Sequence, residues 1–131
     1  MANSGSATIT HIDPANGANA DQVRAIQIVW TCASGAATWE YDSLGLYGTV
    51  VGIFTKPGAT APTDNSDFQI FHTGTTGANV LGTNGDNIID NSAHNMATIT
   101  IPIPVCGFYD LVIANNSVND ATGTIILYLR A

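Results

Sequence analysis

The sequence predicts an all-β protein: an antiparallel β-sandwich, jelly-roll or immunoglobulin-like, of about seven to nine short strands. Three observations carry this. Apolar and polar residues alternate in short runs, as in Ile26, Ile28, Trp30 and Cys32 against Gln27, Val29 and Thr31. No segment has the i, i+3, i+4, i+7 apolar spacing of an amphipathic helix. Charge is scarce, with three Lys and Arg and ten Asp and Glu in 131 residues. Thr, Asn, Ser and Gly must therefore carry much of the solubility, and they suit strand edges and turns.

The elements follow in order. Residues 1–5 read as a flexible N-terminal segment, and Ser6–Ile12 alternates as a strand. Residues 13–22, with Pro14 and Gly17 among Asn and Asp, read as a loop. The run through Ile26–Cys32 is the clearest strand. Thr38–Asp42 is a short one, and Leu44–Phe54 a longer one bent at Gly45, Gly48 and Gly52. Residues 55–66 form a long turn, Asp67–His72 a strand, and 73–79 another turn. Val80–Gly82 pairs briefly, and 83–95 is a polar loop anchored by Ile88 and Ile89. Met96–Ile103 alternates, but Pro102 assigns it to an edge or a strand end. Phe108–Ala114 is a strand, 115–123 a turn, and the run holding Ile125, Leu127 and Leu129 the last strand.

The length suits one domain, residues 1–131, with a single core. The formal charge of −7 disfavours nucleic acid, which requires Lys and Arg to neutralise phosphates, and disfavours anionic membrane surfaces too. No apolar run approaches the ~20 residues of a spanning helix. The N-terminus lacks the basic and apolar regions of a signal peptide, so cytoplasmic synthesis and two buried free thiols, Cys32 and Cys106, are expected. Without such a signal, Asn115-Asn116-Ser117 is expected to be a chance match to a glycosylation acceptor.

The residues yield no catalytic, cofactor or metal assignment. Asp64-Asn65-Ser66-Asp67 and the run from Asp86 to Asn91 offer oxygen ligands of the type calcium takes, but the EF-hand order is absent. Asx residues in turns bond their own backbone, which accounts for them without an ion. His11, His72 and His94 lie in separate segments without a metal-binding spacing. Glu40 and Asp42 share a strand face, as a glycosidase pair requires, yet a solvated edge explains them equally. The order Cys32, Trp39, Cys106 matches immunoglobulin domains only loosely, because the Trp comes early and no Tyr stands two residues before Cys106. Trp39, Tyr41 and Tyr47 form a candidate aromatic platform for a sugar, provided Trp39 is exposed.

Residues 55–91 hold Pro57-Gly58, Ala61-Pro62-Thr63-Asp64-Asn65, Asp67-Phe68-Gln69-Ile70 and Asn79-Val80-Leu81-Gly82. The C-terminus holds Leu111-Val112-Ile113-Ala114-Asn115 and then Ala121-Thr122-Gly123-Thr124-Ile125-Ile126-Leu127-Tyr128-Leu129. These stretches, about half the chain, resemble small all-β structural proteins of tailed bacteriophages. The turn Thr73–Gly77 departs from the acidic Asp-x-x-Gly turn common in that group. The resemblance implies a virion protein without enzymatic activity or cofactor. It implies a capsid decoration (cement) protein that binds the major capsid protein and itself, as a homotrimer on the capsid surface, and less closely a neck, tail or fibre component. Residues 1–5 and 13–22 would extend over a neighbouring subunit. The alternative function is a carbohydrate- or receptor-binding β-sandwich module of a tail or fibre.

Overall fold

The computed structural model describes residues 4–13, 23–73 and 78–130. Six strands follow in chain order: β1 (Ser6–Ile12), β2 (Val23–Thr31), β3 (Trp39–Pro57), β4 (Asp67–His72), β5 (Asn95–Ala114) and β6 (Thr122–Arg130). They form one antiparallel sheet in the order β1-β2-β6-β3-β5-β4, and no helix occurs among the described residues. The protein is therefore all-β. Most of the loop expected at 13–22 and of the turn expected at 73–79 lies outside the described residues, as do residues 1–3 of the expected flexible end.

The count is six rather than seven to nine because pairs of expected strands are continuous. Thr38–Asp42 and Leu44–Phe54 merge in β3, which spans 19 residues. The register slips between Tyr41 and Leu44, where Ser43 takes a left-handed φ of 60°. One residue bulges out there, and the inward set passes from Trp39 to Leu44 and Leu46. A second slip between Val50 and Gly52 returns the inward face to odd positions at Ile53 and Thr55. Two bulges thus keep an irregular sequence apolar on one side. Met96–Ile103 and Phe108–Ala114 likewise merge in β5. Pro104 pairs with Thr49 of β3 alone, and Pro102 falls within residues 99–102, where the register with β3 jumps, so neither missing amide breaks a second ladder.

One buried cluster draws on remote parts of the sheet. It includes Ile26, Ile28 and Trp30 of β2, Leu127 and Leu129 of β6, Phe68 and Ile70 of β4, and Leu111 of β5. Burying each such side chain contributes about 1.5–3 kcal/mol. Trp30 and Trp39 meet with ring centroids 6.2 Å apart.

The two sheet edges differ. The outer side of β4 is covered by segment 79–89. Val80 donates to the Ile70 carbonyl at 2.8 Å, Phe68 donates to Gly85 at 2.9 Å, and Ser66 and Ile89 exchange bonds at 3.1 and 3.0 Å. A Cβ on Gly85 would fall 2.0 Å from the Phe68 carbonyl oxygen, so only glycine permits this approach. On the other side of the sheet, β1 pairs with β2 through seven consecutive residues without a shift. Just before β1, Ser4 and Glu40 exchange backbone bonds at 3.0 and 2.9 Å. Ser4 is thereby fixed, although the sequence places it in the flexible end.

Candidate interaction surface

The outward face of the sheet is unusually apolar. Cross-strand register aligns Thr10, Gln27, Ile126, Phe54 and Met96 in one row over β1, β2, β6, β3 and β5. The next row holds Ile12, Ala25, Tyr128, Gly52 and Thr98. The Tyr128 ring lies over Gly52, since a Cβ there would meet ring carbon Cδ2 at 3.5 Å. Met96 is 60% exposed, and Ile12, Val23 and Val29 are also exposed. Antiparallel sheets ordinarily turn polar residues outward, and the informative departure is a contiguous apolar patch.

The same face continues along the first half of β3. Tyr47 pairs with Cys106, and Gly45 with Phe108. Tyr47 and Phe108 are both exposed, and a Cβ on Gly45 would contact their rings at 3.6 and 3.7 Å. Two aromatic side chains therefore share the floor left by one glycine.

Charge is segregated around this face. The three basic residues, Arg24, Lys56 and Arg130, stand on β2, β3 and β6. No Asp or Glu occurs on β1, β2 or β6, on residues 43–57 of β3, or on residues 95–109 of β5. The acids concentrate in turns and at the β4 side of the sheet, as with Asp64, Asp67, Asp86, Asp90 and Asp110.

Those acids hold turns together. Asp90 Oδ1 accepts from the amides of Ser92 at 3.0 Å and Ala93 at 3.3 Å. These bonds, the Ser92 amide first, lower the Asp90 pKa. Asp67 accepts from the Asn87 amide at 2.7 Å and from the Asn115 side chain. Asp120 accepts from the Gly35 amide at 2.7 Å. Asn65, Asn87, Asn115 and Asp120 take left-handed φ values, which short polar side chains tolerate best. Among the described residues no three His, Cys, Asp or Glu converge on a common point that could hold a metal.

The other sequence candidates are dispersed. His11 lies on β1, His72 closes β4 against the Tyr109 ring at 4.7 Å, and His94 meets Phe54 edge-on at 5.6 Å. Glu40 and Asp42 lie at the start of β3, where no pocket opens among the described residues. Trp39 is 0% exposed and its indole nitrogen donates to the Ser6 carbonyl at 2.9 Å. It is a core residue, and the three-residue aromatic platform that required it does not form. Tyr41 stacks on Trp39 at 6.4 Å and packs against the core, while Tyr47 remains outside.

The cysteines separate. Cys32 is buried, and desolvation, the largest cause, raises its pKa. Cys106 is exposed, contrary to the buried pair expected, because its strand parity turns it outward opposite Tyr47. Asn115 and Asn116 of the glycosylation-like triplet are both engaged. Asn116 donates to the carbonyls of Ala37 at 2.9 Å and Val118 at 3.2 Å, and accepts from the Thr63 amide at 2.9 Å. Phe54, Met96, Phe108 and Ile126 were not singled out as a site by sequence, since register and not spacing brings them together.

No family model, curated protein or solved structure matches the chain.

Proposed function

We propose that this protein is a virion structural component, a capsid decoration protein that bridges major capsid subunits, and that the outward face of its sheet is the adhesive surface. The carrying observation is the row Ile126, Phe54 and Met96, with Tyr128 beside it, in a region free of acids and holding Lys56 and Arg130. An interface core is depleted of charge and enriched in aromatic residues and Met, which is the composition here. The two cations favour a partner surface carrying carboxylates. Such a clamp acts by adding buried area at seams between subunits and requires no chemical step. The two-layer form of a β-sandwich belongs to the same reading. It is supported by the shared core of β2, β6 and β4 and by the bulges that bend β3.

The test is co-sedimentation with purified capsids. The native chain is expected to bind, Phe54→Asp and Met96→Asp to abolish binding, and Lys56→Glu with Arg130→Glu to weaken it and flatten its salt dependence. Binding that survives both aspartate substitutions removes this face from the function.

Tyr47 and Phe108 favour a second reading, a carbohydrate contact on a tail or fibre module. Sugar rings stack on exposed aromatic faces, and these two are adjacent. Glycan-array binding lost on Tyr47→Ala and kept on Phe54→Asp would select this reading over the first.

A further inference from the structure

We infer that Tyr47, Phe108, Arg24 and Arg130 form a binding site for an acidic sugar, a pyranose whose ring stacks on the two aromatic side chains and whose carboxylate is held by the guanidinium groups. The inference rests on the carbohydrate reading of Tyr47 and Phe108, adds to it the charge of the sugar, and is independent of capsid binding.

Strand register assembles the site. Leu46 and Val50 are buried in the core, so Tyr47 and Thr49 between them turn outward. Tyr47 pairs with Cys106 and Gly45 with Phe108, and both rings approach the space above Gly45. Each of the two aromatic residues is more than half exposed. Thr49 pairs with Arg130 of β6, which is exposed and follows the buried Leu129. Arg130 therefore stands on the same face as Tyr47, one diagonal step away across the strands, a separation that long side chains span.

Arg24 reaches the same place from β2. Its Nη2 donates to the Tyr47 carbonyl at 2.5 Å, which fixes the guanidinium beside the aromatic pair and leaves its other N–H donors unspent. Among the described residues neither Arg24 nor Arg130 has a carboxylate partner. No acid stands on β2, on β6 or on residues 43–57 of β3. In a chain of net charge −7 with three basic residues, two of the three thus converge on one exposed tyrosine.

Charge decides the class of ligand. The C–H groups on one face of a pyranose are weakly positive and meet the negative face of an aromatic ring. The planar fork of arginine matches a carboxylate through two parallel hydrogen bonds. A neutral sugar uses the rings and leaves both cations without a partner. A polyanion such as nucleic acid requires many cations and meets repulsion from the acids elsewhere on the chain. One carboxylate on one sugar ring satisfies the fork and the aromatic faces together, and the hexuronic and sialic acids share that chemistry.

NMR titration of the native chain with methyl β-glucuronide and methyl β-glucoside tests this, since the two differ only in a carboxylate against a hydroxymethyl group. The ring signals of Tyr47 and Phe108 are expected to shift with both. The glucuronide is expected to bind about tenfold more tightly at low salt, an advantage that fades as salt is added. The methyl glycoside of N-acetylneuraminic acid is the second acidic probe. Arg24→Gln and Arg130→Gln are each expected to reduce the preference for the acidic sugar. Arg130→Gln keeps the Arg24 bond to Tyr47, so it separates charge from structure. Asn119→Asp, in the turn before β6, changes the net charge by the same amount and is expected to keep the preference. A preference for either acidic probe that falls with Arg130→Gln supports the site. Neutral sugar bound as tightly as both acidic ones, a preference that survives both arginine substitutions, or one that falls as far with Asn119→Asp overturns the inference and leaves the carbohydrate reading standing. Binding of none of the three sugars overturns both.

Discussion

The indole nitrogen of Trp39 donates to the carbonyl oxygen of Ser6 at 2.9 Å, binding the first strand to the start of the third. The ring itself is fully buried, against Trp30 on one side and Tyr41 on another. One side chain thus serves as a core anchor and as a clasp on the sheet edge.

These two roles separate by substitution. Trp39→Phe retains most of the packing but leaves the Ser6 carbonyl without its donor. A cost of about 1 kcal/mol, a fall of a few degrees in Tm, is expected. Trp39→Ala should cost about 3–5 kcal/mol. Thermal denaturation of both variants checks the split: an unchanged Tm in Trp39→Phe would mean the hydrogen bond contributes nothing, and equal losses in the two would mean the packing adds nothing beyond it.

Asn116 joins three loops, through Ala37, Thr63 and Val118. Asn116→Asp keeps an acceptor for Thr63 and loses the bonds that the side-chain nitrogen donates to Ala37, Val118 and, at 3.6 Å, the Cys32 sulfur. It is expected to destabilise by about 2 kcal/mol, from unsatisfied carbonyls and a desolvated charge. Asn119→Asp serves as the exposed comparison and should leave Tm unchanged. Urea titration reads both.

The thiols should differ in rate. Cys106 is exposed and should react promptly with an aromatic disulfide reagent in the native protein. Cys32 should react only on unfolding, because burial both blocks access and raises its pKa. A raised thiol pKa favours the protonated folded form. Stability is therefore unaffected below the ordinary thiol value of 9.0 and declines as pH rises past it. Cys32→Ala should remove that part of the alkaline decline. Two thiols titrating at one rate in the native state would contradict the burial.

Asp90 gives the opposite sign. Its pKa is lowered chiefly by the Ser92 amide, so the charged form is favoured in the folded state. The contribution is present above the ordinary carboxylate value of 3.8 and is lost as pH falls through the lower folded value. Carboxyl chemical shifts followed by NMR should show Asp90 titrating below an unstructured Asp. Ser92→Pro, which removes the amide donor, should move it back upward.

Much of this fold is legible where period-two alternation is uninterrupted. Ser6–Ile12 and Asp67–His72 have the bounds that alternation indicates. β3 and β5 read as fragments because Ser43 and Gly107, with φ of 60° and 121°, and the prolines near Ile101 resemble breaks. In the folded sheet they are bulges and edge positions inside continuous strands. The apolar face was not legible for a different reason. Ile126, Phe54 and Met96 become neighbours only through the strand order β6-β3-β5. Trp39 reads equally well as core or platform, and only the partner at Ser6 decides it.

The bulge at Ser43 makes the length of β3 locally forgiving. Excising Ser43 leaves Trp-Glu-Tyr-Asp-Leu-Gly-Leu, which alternates strictly, so every downstream apolar residue keeps its side. Excising Tyr47 has no such cushion and would invert Trp39–Leu46 relative to Val50. In a scan of single-codon losses along this strand, survivors should cluster at the supernumerary residue, and what they forfeit is curvature, with the core still assembled.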